Sequence, residues 1–163
     1  MTTTDEILAS APQRSEQLAT PELTATPQRK LAVLTCMDAR LDPLRMLGLR
    51  VGEAHILRNA GALATDDAIR SLSVSQRLLG TQEVLVIMHE QCGLLNASED
   101  DFKAALAESG VLPSWRLGAF DDLEATLAAS VARLRASREL PFRETVRGLI
   151  YDPDTGALRE PSP

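Results

Sequence analysis

The stretch Leu31-Ala-Val-Leu-Thr-Cys36-Met-Asp38-Ala-Arg40 is an apolar run that closes on a cysteine and opens into a short polar loop. A second stretch has the same form: Val84-Leu-Val-Ile-Met88 closes on His89 and runs into Glu90-Gln91-Cys92-Gly93. Short apolar runs bounded by polar or turn residues read as strands buried on both faces, as in a parallel sheet. In open α/β sheets, ligands gather at the carboxyl ends of the strands. The chain has 2 Cys and 2 His, and Cys36, His89 and Cys92 all stand at or just beyond such ends.

Working outward, Ala54-His55-Ile-Leu-Arg58 reads as another strand, closed by Asn59-Ala60-Gly61. Thr65-Asp66-Asp67 has the form of a helix N-cap with acidic residues in the first turn. Ala68, Leu72, Ser75, Leu78 and Leu79 continue at helical spacing to a stop at Gly80. With strand 84–88 this makes a strand–helix–strand unit long enough for a right-handed crossover. Pro43 starts a short helix ending near Gly48, and Ser98 opens one that Gly110 ends. Asp121 to Arg138 is the longest helical pattern, with Leu123, Leu127, Val131 and Leu134 on one face. Thr145 to Tyr151 reads as the last strand, turned by Asp152-Pro-Asp-Thr-Gly156 into a short polar tail. Residues 1–28 are polar and broken by Pro12, Pro21 and Pro27, with room for a short helix within 5–19. They read as an arm that needs a partner surface to become ordered. The expected architecture is α/β: one domain over 29–163, built on a central, mostly parallel sheet flanked by helices.

Composition narrows the function. The chain of 163 residues is 44% hydrophobic and 25% charged, ordinary values for a globular domain. A net charge of −6 and only 3% aromatic residues argue against nucleic acid and anionic membranes as partners. No apolar run approaches the roughly 20 residues needed to span a bilayer. The N-terminus lacks the cationic and apolar pattern of a signal peptide, so a cytoplasmic setting is expected. There thiols stay reduced, and Cys36 and Cys92 read as ligands or nucleophiles before they read as a disulfide.

Two thiolates and one imidazole form a catalytic zinc set that leaves a fourth position for water. His89-x-x-Cys92 closes on one cation from a single turn, and Cys36 approaches from a neighbouring strand end. Zinc with two thiolates and a neutral histidine is formally neutral, so its water needs help from a neighbouring group. Asp38 is placed to accept a hydrogen bond from zinc-bound hydroxide. Arg40 is placed to hold Asp38 by a bidentate pair and keep it ionised. If that pair broke, Asp38 would become a fourth ligand and shut the site. The same contact would also serve as a structural ion pair capping the next helix. His55, inside a strand, reads as a satisfied core histidine ahead of a ligand or proton shuttle. Gly61 either brings its amide to substrate or makes a tight turn, and Arg58 pairs with a carboxylate in the site or at a subunit seam. Glu99-Asp100-Asp101 reads as a solvated helix start.

Cys36-x-Asp38-x-Arg40, Arg58-Asn59-Ala60-Gly61 and His89-x-x-Cys92-Gly93, in this order, resemble the β-class carbonic anhydrases of the short microbial branch, over roughly residues 29–152. The resemblance implies reversible hydration of CO₂ to bicarbonate by zinc hydroxide, with one Zn²⁺ per chain on Cys36, His89 and Cys92. It implies Asp38 and Arg40 as the catalytic dyad. It also implies a homodimer or tetramer of dimers, with the N-terminal arm wrapping the partner. Glu90-Gln91 departs from the Thr or Ser and Asp that many members carry there, and Glu90 would add negative charge beside the metal. Gln28 is a loose counterpart of a substrate-binding Gln in some relatives. Three alternatives remain: hydrolysis of carbonyl sulfide or carbon disulfide on the same fold, a non-catalytic zinc-binding dimer in which Asp38 fills the fourth position, and redox use of metal-free Cys36 and Cys92.

Overall fold

The computed structural model describes residues 1–12 and 18–161. The helix expected within 5–19 appears in part, as α1 (Thr3–Ser10), and residues 13–17 of that span lie outside the described residues. A capping box between Thr2 and Asp5 starts α1, yet none of its residues is buried.

The sheet is built from β1 (Leu31–Cys36), β2 (Ala54–Asn59), β3 (Glu83–His89), β4 (Val146–Tyr151) and β5 (Leu158–Arg159). Its order is β2-β1-β3-β4-β5. The first four strands run parallel, and β5 pairs antiparallel with β4. The short edge strand β5 corrects the reading of the C-terminal segment as a plain polar tail. Two residues show no periodicity, and their pairing is set by the Asp152–Gly156 turn. The arrangement confirms the expected α/β fold with a mostly parallel sheet flanked by helices.

Helices α2 (Pro43–Met46), α3 (Asp66–Arg77), α4 (Glu99–Glu108) and α5 (Leu123–Ala136) link or follow the strands. Side chains of Asp42, Thr65, Ser98 and Asp122 cap their N-termini. The expected ends shift inward. α5 starts after Asp122 and stops at Ala136, because Ser137 is already extended. α3 stops at Arg77, and Gly80 takes the left-handed turn that follows.

One face of the sheet packs Ala32, Leu34, Val84, Val86, Val146 and Ile150 against Leu72 of α3 and Leu127 and Leu134 of α5. Gly148 lets α5 come close to β4. A Cβ there would stand 3.0 Å from Leu127 Cγ and 3.1 Å from Val131 Cγ2. β1 and β3 are buried on both faces over most of their length, the condition that makes their sequences continuously apolar.

The register places the functional edge. Cys36 lies opposite Asn59, and His89 lies opposite Tyr151, so four strands end at one level. From β1 the chain moves out to β2 on one side, then crosses back to place β3 on the other. The strand order therefore reverses between β1 and β3, and the crevice beyond their carboxyl ends is the switch point where such folds bind ligands.

Candidate metal centre

Cys36 ends β1, His89 ends β3, and Cys92 follows within one turn. Their ligand atoms lie within 4.8 Å of one another and all three residues are buried. The two sulfurs are 4.0 Å apart, twice the length of a disulfide bond. His89 Nδ1 donates to the Glu90 carbonyl at 2.9 Å, which fixes the tautomer and leaves the Nε2 lone pair free. Among the described residues, Nε2 is the buried side-chain polar atom with no hydrogen-bond partner. A buried acceptor left alone is costly, and a cation between the sulfurs satisfies it. Met46, Leu94, Leu95, Phe120 and Tyr151 pack against the cluster and make its surroundings apolar.

The thiols share their charge unequally. A hydrogen bond from Cys92 draws Cys36 well below the usual thiol range, burial opposes this, and His89 adds to the lowering. Cys92 is pushed up, first by its bond to Cys36 and then by burial. Burial works to lower the His89 imidazole, but the neighbouring Cys36 sulfur, with the Glu90 carbonyl, outweighs it and the net shift is upward. The Gly61 amide donates to Cys36 Sγ at 3.4 Å, a bond that favours the thiolate form there. Gly61 has φ +75°, the left-handed conformation that aims this amide at the sulfur. The amide considered from sequence for a substrate contact is here engaged by the Cys36 sulfur. Asn59 braces the same turn, donating to Leu63 O at 2.7 Å and accepting from Leu63 N at 2.9 Å.

Asp38 and Arg40 form a fork pair. Arg40 Nε donates to Oδ1 at 3.0 Å and Nη2 to Oδ2 at 2.9 Å, and the Arg40 backbone amide adds a bond to Oδ1 at 2.9 Å. These bonds hold the Asp38 carboxyl well below the usual carboxylate range. Asp38 Oδ2 lies 3.9 Å from His89 Nε2, so the carboxylate borders the candidate metal cluster. Arg58, whose partner the sequence left open, donates to the carbonyls of Cys36 at 3.0 Å and Asp38 at 2.7 Å, and so clamps the loop between ligand and carboxylate.

Glu90 is directed elsewhere. Its carboxylate pairs with Arg159 of β5 at 3.0 Å, and Arg159 also holds Glu124 at 2.6 Å. His55 is satisfied on both nitrogens, by Ser75 Oγ at 2.8 Å and Ala25 O at 2.8 Å, away from the cluster. Two residues carry contacts to which the sequence reading gave no role: Gln91, which accepts from Arg40 Nη1 at 3.2 Å, and Asp154, which accepts from Gln91 Nε2 at 2.6 Å. A pair 63 residues apart leaves no spacing signal. Among the described residues, no helix is long and apolar enough to cross a membrane.

An open parallel sheet with a Cys-His-Cys cluster at its switch point defines a class of α/β protein suited to a tetrahedral metal ion. The family model for carbonic anhydrase matches residues 31–140. β-carbonic anhydrase 1 of Mycobacterium tuberculosis is 42% identical over 164 residues, covering 100% of each chain. A carbon disulfide hydrolase of Acidithiobacillus thiooxidans is 36% identical over 154 residues, covering 82% of this chain and 77% of that protein. The crystal structure of a carbonic anhydrase from Streptococcus mutans superposes with a TM-score of 0.90 at 35% identity, covering 99% of both chains. The chain belongs to the β-class carbonic anhydrase family.

Proposed function

We propose that the protein catalyses the reversible hydration of CO₂ to bicarbonate and a proton, with one zinc ion per chain held by Cys36, His89 and Cys92. The observation that carries this reading is the buried three-donor cluster whose His89 Nε2 has no other partner, bordered by a restrained carboxylate. The donors fit zinc. Tetrahedral bonds of about 2.3 Å set two sulfurs roughly 3.8 Å apart, and the observed separation is 4.0 Å.

When bound, zinc supplies a Lewis acid that lowers the pKa of water and makes a nucleophile near neutral pH. The chain's own residues do the rest. His89 offers Nε2 because Glu90 O occupies Nδ1–H. Gly61 N–H supports the Cys36 thiolate and limits the charge it passes on. Asp38 Oδ2 accepts the hydrogen of the attacking water and so orients its lone pair. Arg40 keeps Asp38 ionised and turned to receive that hydrogen. The apolar shell of Leu94, Leu95 and Phe120 suits a small linear substrate without charge. The proton leaves to buffer, since both nitrogens of His55 are engaged away from the site.

The same reading gives a cytoplasmic homodimer or tetramer of dimers in which arm 1–28 lies across the partner. α1 supports this, because it buries no residue against its own chain. The 36% identity to a carbon disulfide hydrolase favours one second reading, in which the same groups attack carbon disulfide or carbonyl sulfide. Side-by-side turnover of CO₂, carbonyl sulfide and carbon disulfide on zinc-verified protein decides between them. Faster turnover of CO₂ supports the proposal, and selective turnover of a sulfur substrate overturns it. Full zinc with no turnover of any marks a closed, non-catalytic site.

A further inference from the structure

The fork of Arg40 has two edges, and the Asp38 carboxylate takes only one. On the far edge, Nη1 donates to Gln91 Oε1 at 3.2 Å and Nη2 donates to the Gln91 carbonyl at 3.1 Å. Gln91 sits between the ligands His89 and Cys92, with φ +57°, a left-handed conformation uncommon for a residue with a side chain. That turn aims its carbonyl at the guanidinium. Its side chain cannot rotate freely either, because Nε2 donates to Asp154 Oδ2 at 2.6 Å. A carboxylate on the amide nitrogen fixes which end of the amide faces Arg40. Asp154 stands in the turn after β4, held by its own amide on Asp152 Oδ1 at 2.9 Å.

We propose that Gln91 and Asp154 are positioning residues: Asp154 orients Gln91, Gln91 locks the far edge of Arg40, and Arg40 thereby holds Asp38 in its working orientation. The inference rests on the carbonic anhydrase reading and extends its dyad to a four-residue relay from the β4 turn to the metal site. A guanidinium gripped on one edge can pivot about that edge, whereas one gripped on both keeps its plane. The Asp154 charge also lies close enough to favour the guanidinium cation. With Gln91 truncated, the Nη1 bond is lost and the residue 91 carbonyl alone remains on the far edge, so the guanidinium can turn about it towards Asp154 and Asp38 loses a fixed partner.

The test uses the full-length, zinc-loaded protein and two readouts. In CO₂ hydration, Gln91→Ala and Asp154→Ala each lower kcat about tenfold, the scale for partners that orient metal-site groups. KM stays within about twofold, because the relay orients the reacting groups rather than substrate. Gln91→Glu alone sets two carboxylates face to face and also lowers kcat. Gln91→Glu combined with Asp154→Asn rebuilds the bonds with polarity exchanged and total charge unchanged, and returns kcat to within about threefold of wild type. Without substrate, the Arg40 Nε–H signal, assigned by its loss in Arg40→Lys, exchanges slowly with solvent in the wild type and rapidly in both alanine variants. Unchanged Arg40 exchange, unchanged kcat, or a double variant no better than Gln91→Glu overturns the relay. If the wild type turns over no CO₂, the functional reading fails, and Arg40 exchange alone decides the relay.

Discussion

Arg40→Ala tests the proposed restraint of Asp38 beside a bound metal. A tetrahedral zinc ion with bonds of about 2.0 Å to nitrogen and oxygen sets those atoms roughly 3.3 Å apart. Asp38 Oδ2 is 3.9 Å from His89 Nε2, so this separation has to close by about 0.6 Å for both atoms to ligate one ion. Arg40 Nη2, at 2.9 Å, is the group that holds Oδ2 back. The backbone amide of residue 40 stays bonded to Oδ1 in the variant and serves as the pivot. Arg40→Ala is expected to lower CO₂ turnover at neutral pH by about 100-fold, the upper range for losing an orienting partner at a metal site. Zinc release to a chelator is expected to slow by about tenfold, because a fourth protein ligand now holds the ion. Stopped-flow hydration and chelator-competition kinetics on the same preparations give both numbers. Adding Asp38→Ala to Arg40→Ala returns zinc release to the wild-type rate without restoring turnover. If Arg40→Ala keeps wild-type turnover and release, the restraint assigned to Arg40 is wrong.

Three further outcomes follow from particular contacts. Glu53 is held below the usual carboxylate range by the Arg50 backbone amide, then the Arg50 side chain, with Arg29 adding charge. A folded-state value below the unfolded one means the ionised group stabilises the fold above about pH 4.5, and this is lost as pH falls through the folded value. Glu53→Gln should thus unfold more easily than wild type at pH 7, with the gap closing in acid, as read by urea titration. Leu127→Ala is expected to cost about 3 kcal/mol of stability as a fully buried leucine. Gly148→Ala destabilises alone and less so in that background, because its Cβ would meet Leu127 at 3.0 Å and Val131 at 3.1 Å and only the first contact is removed, and a double-mutant denaturation cycle reads the difference. Gly61→Ala should cost roughly 1–2 kcal/mol from its left-handed backbone, with further cost from the 3.0 Å approach to Leu94 Cδ1. It should also release zinc faster as the amide leaves Cys36, and wild-type stability with wild-type release would remove both arguments.

The parts of this structure that were legible in the sequence are those in which local pattern and tertiary burial agree. β1 and β3 are buried on both faces, so each appears as an apolar run, and the polar residue ending each run marks a strand end at the switch point. The placement of Cys36, His89 and Cys92 follows from those ends, and the Asp38–Arg40 contact from a spacing of two residues. Glu90 shows where this logic stops. One residue from a ligand along the chain, it turns to Arg159, 69 residues away, on a strand too short to announce itself. The bond between Gln91 and Asp154 was invisible for the same reason, since it depends on how the β4 turn folds over the β3 end. Helix ends shifted by two or so residues where backbone geometry at Asp122 and Ser137, rather than side-chain pattern, set the boundary.

The most direct test of the account is stopped-flow CO₂ hydration on protein of verified zinc content, from about pH 6.5 to about pH 9. The account predicts one zinc per chain and rapid turnover that rises with pH, both abolished in a variant carrying Cys36→Ala, His89→Ala and Cys92→Ala. One zinc per chain with no turnover at any pH would contradict it.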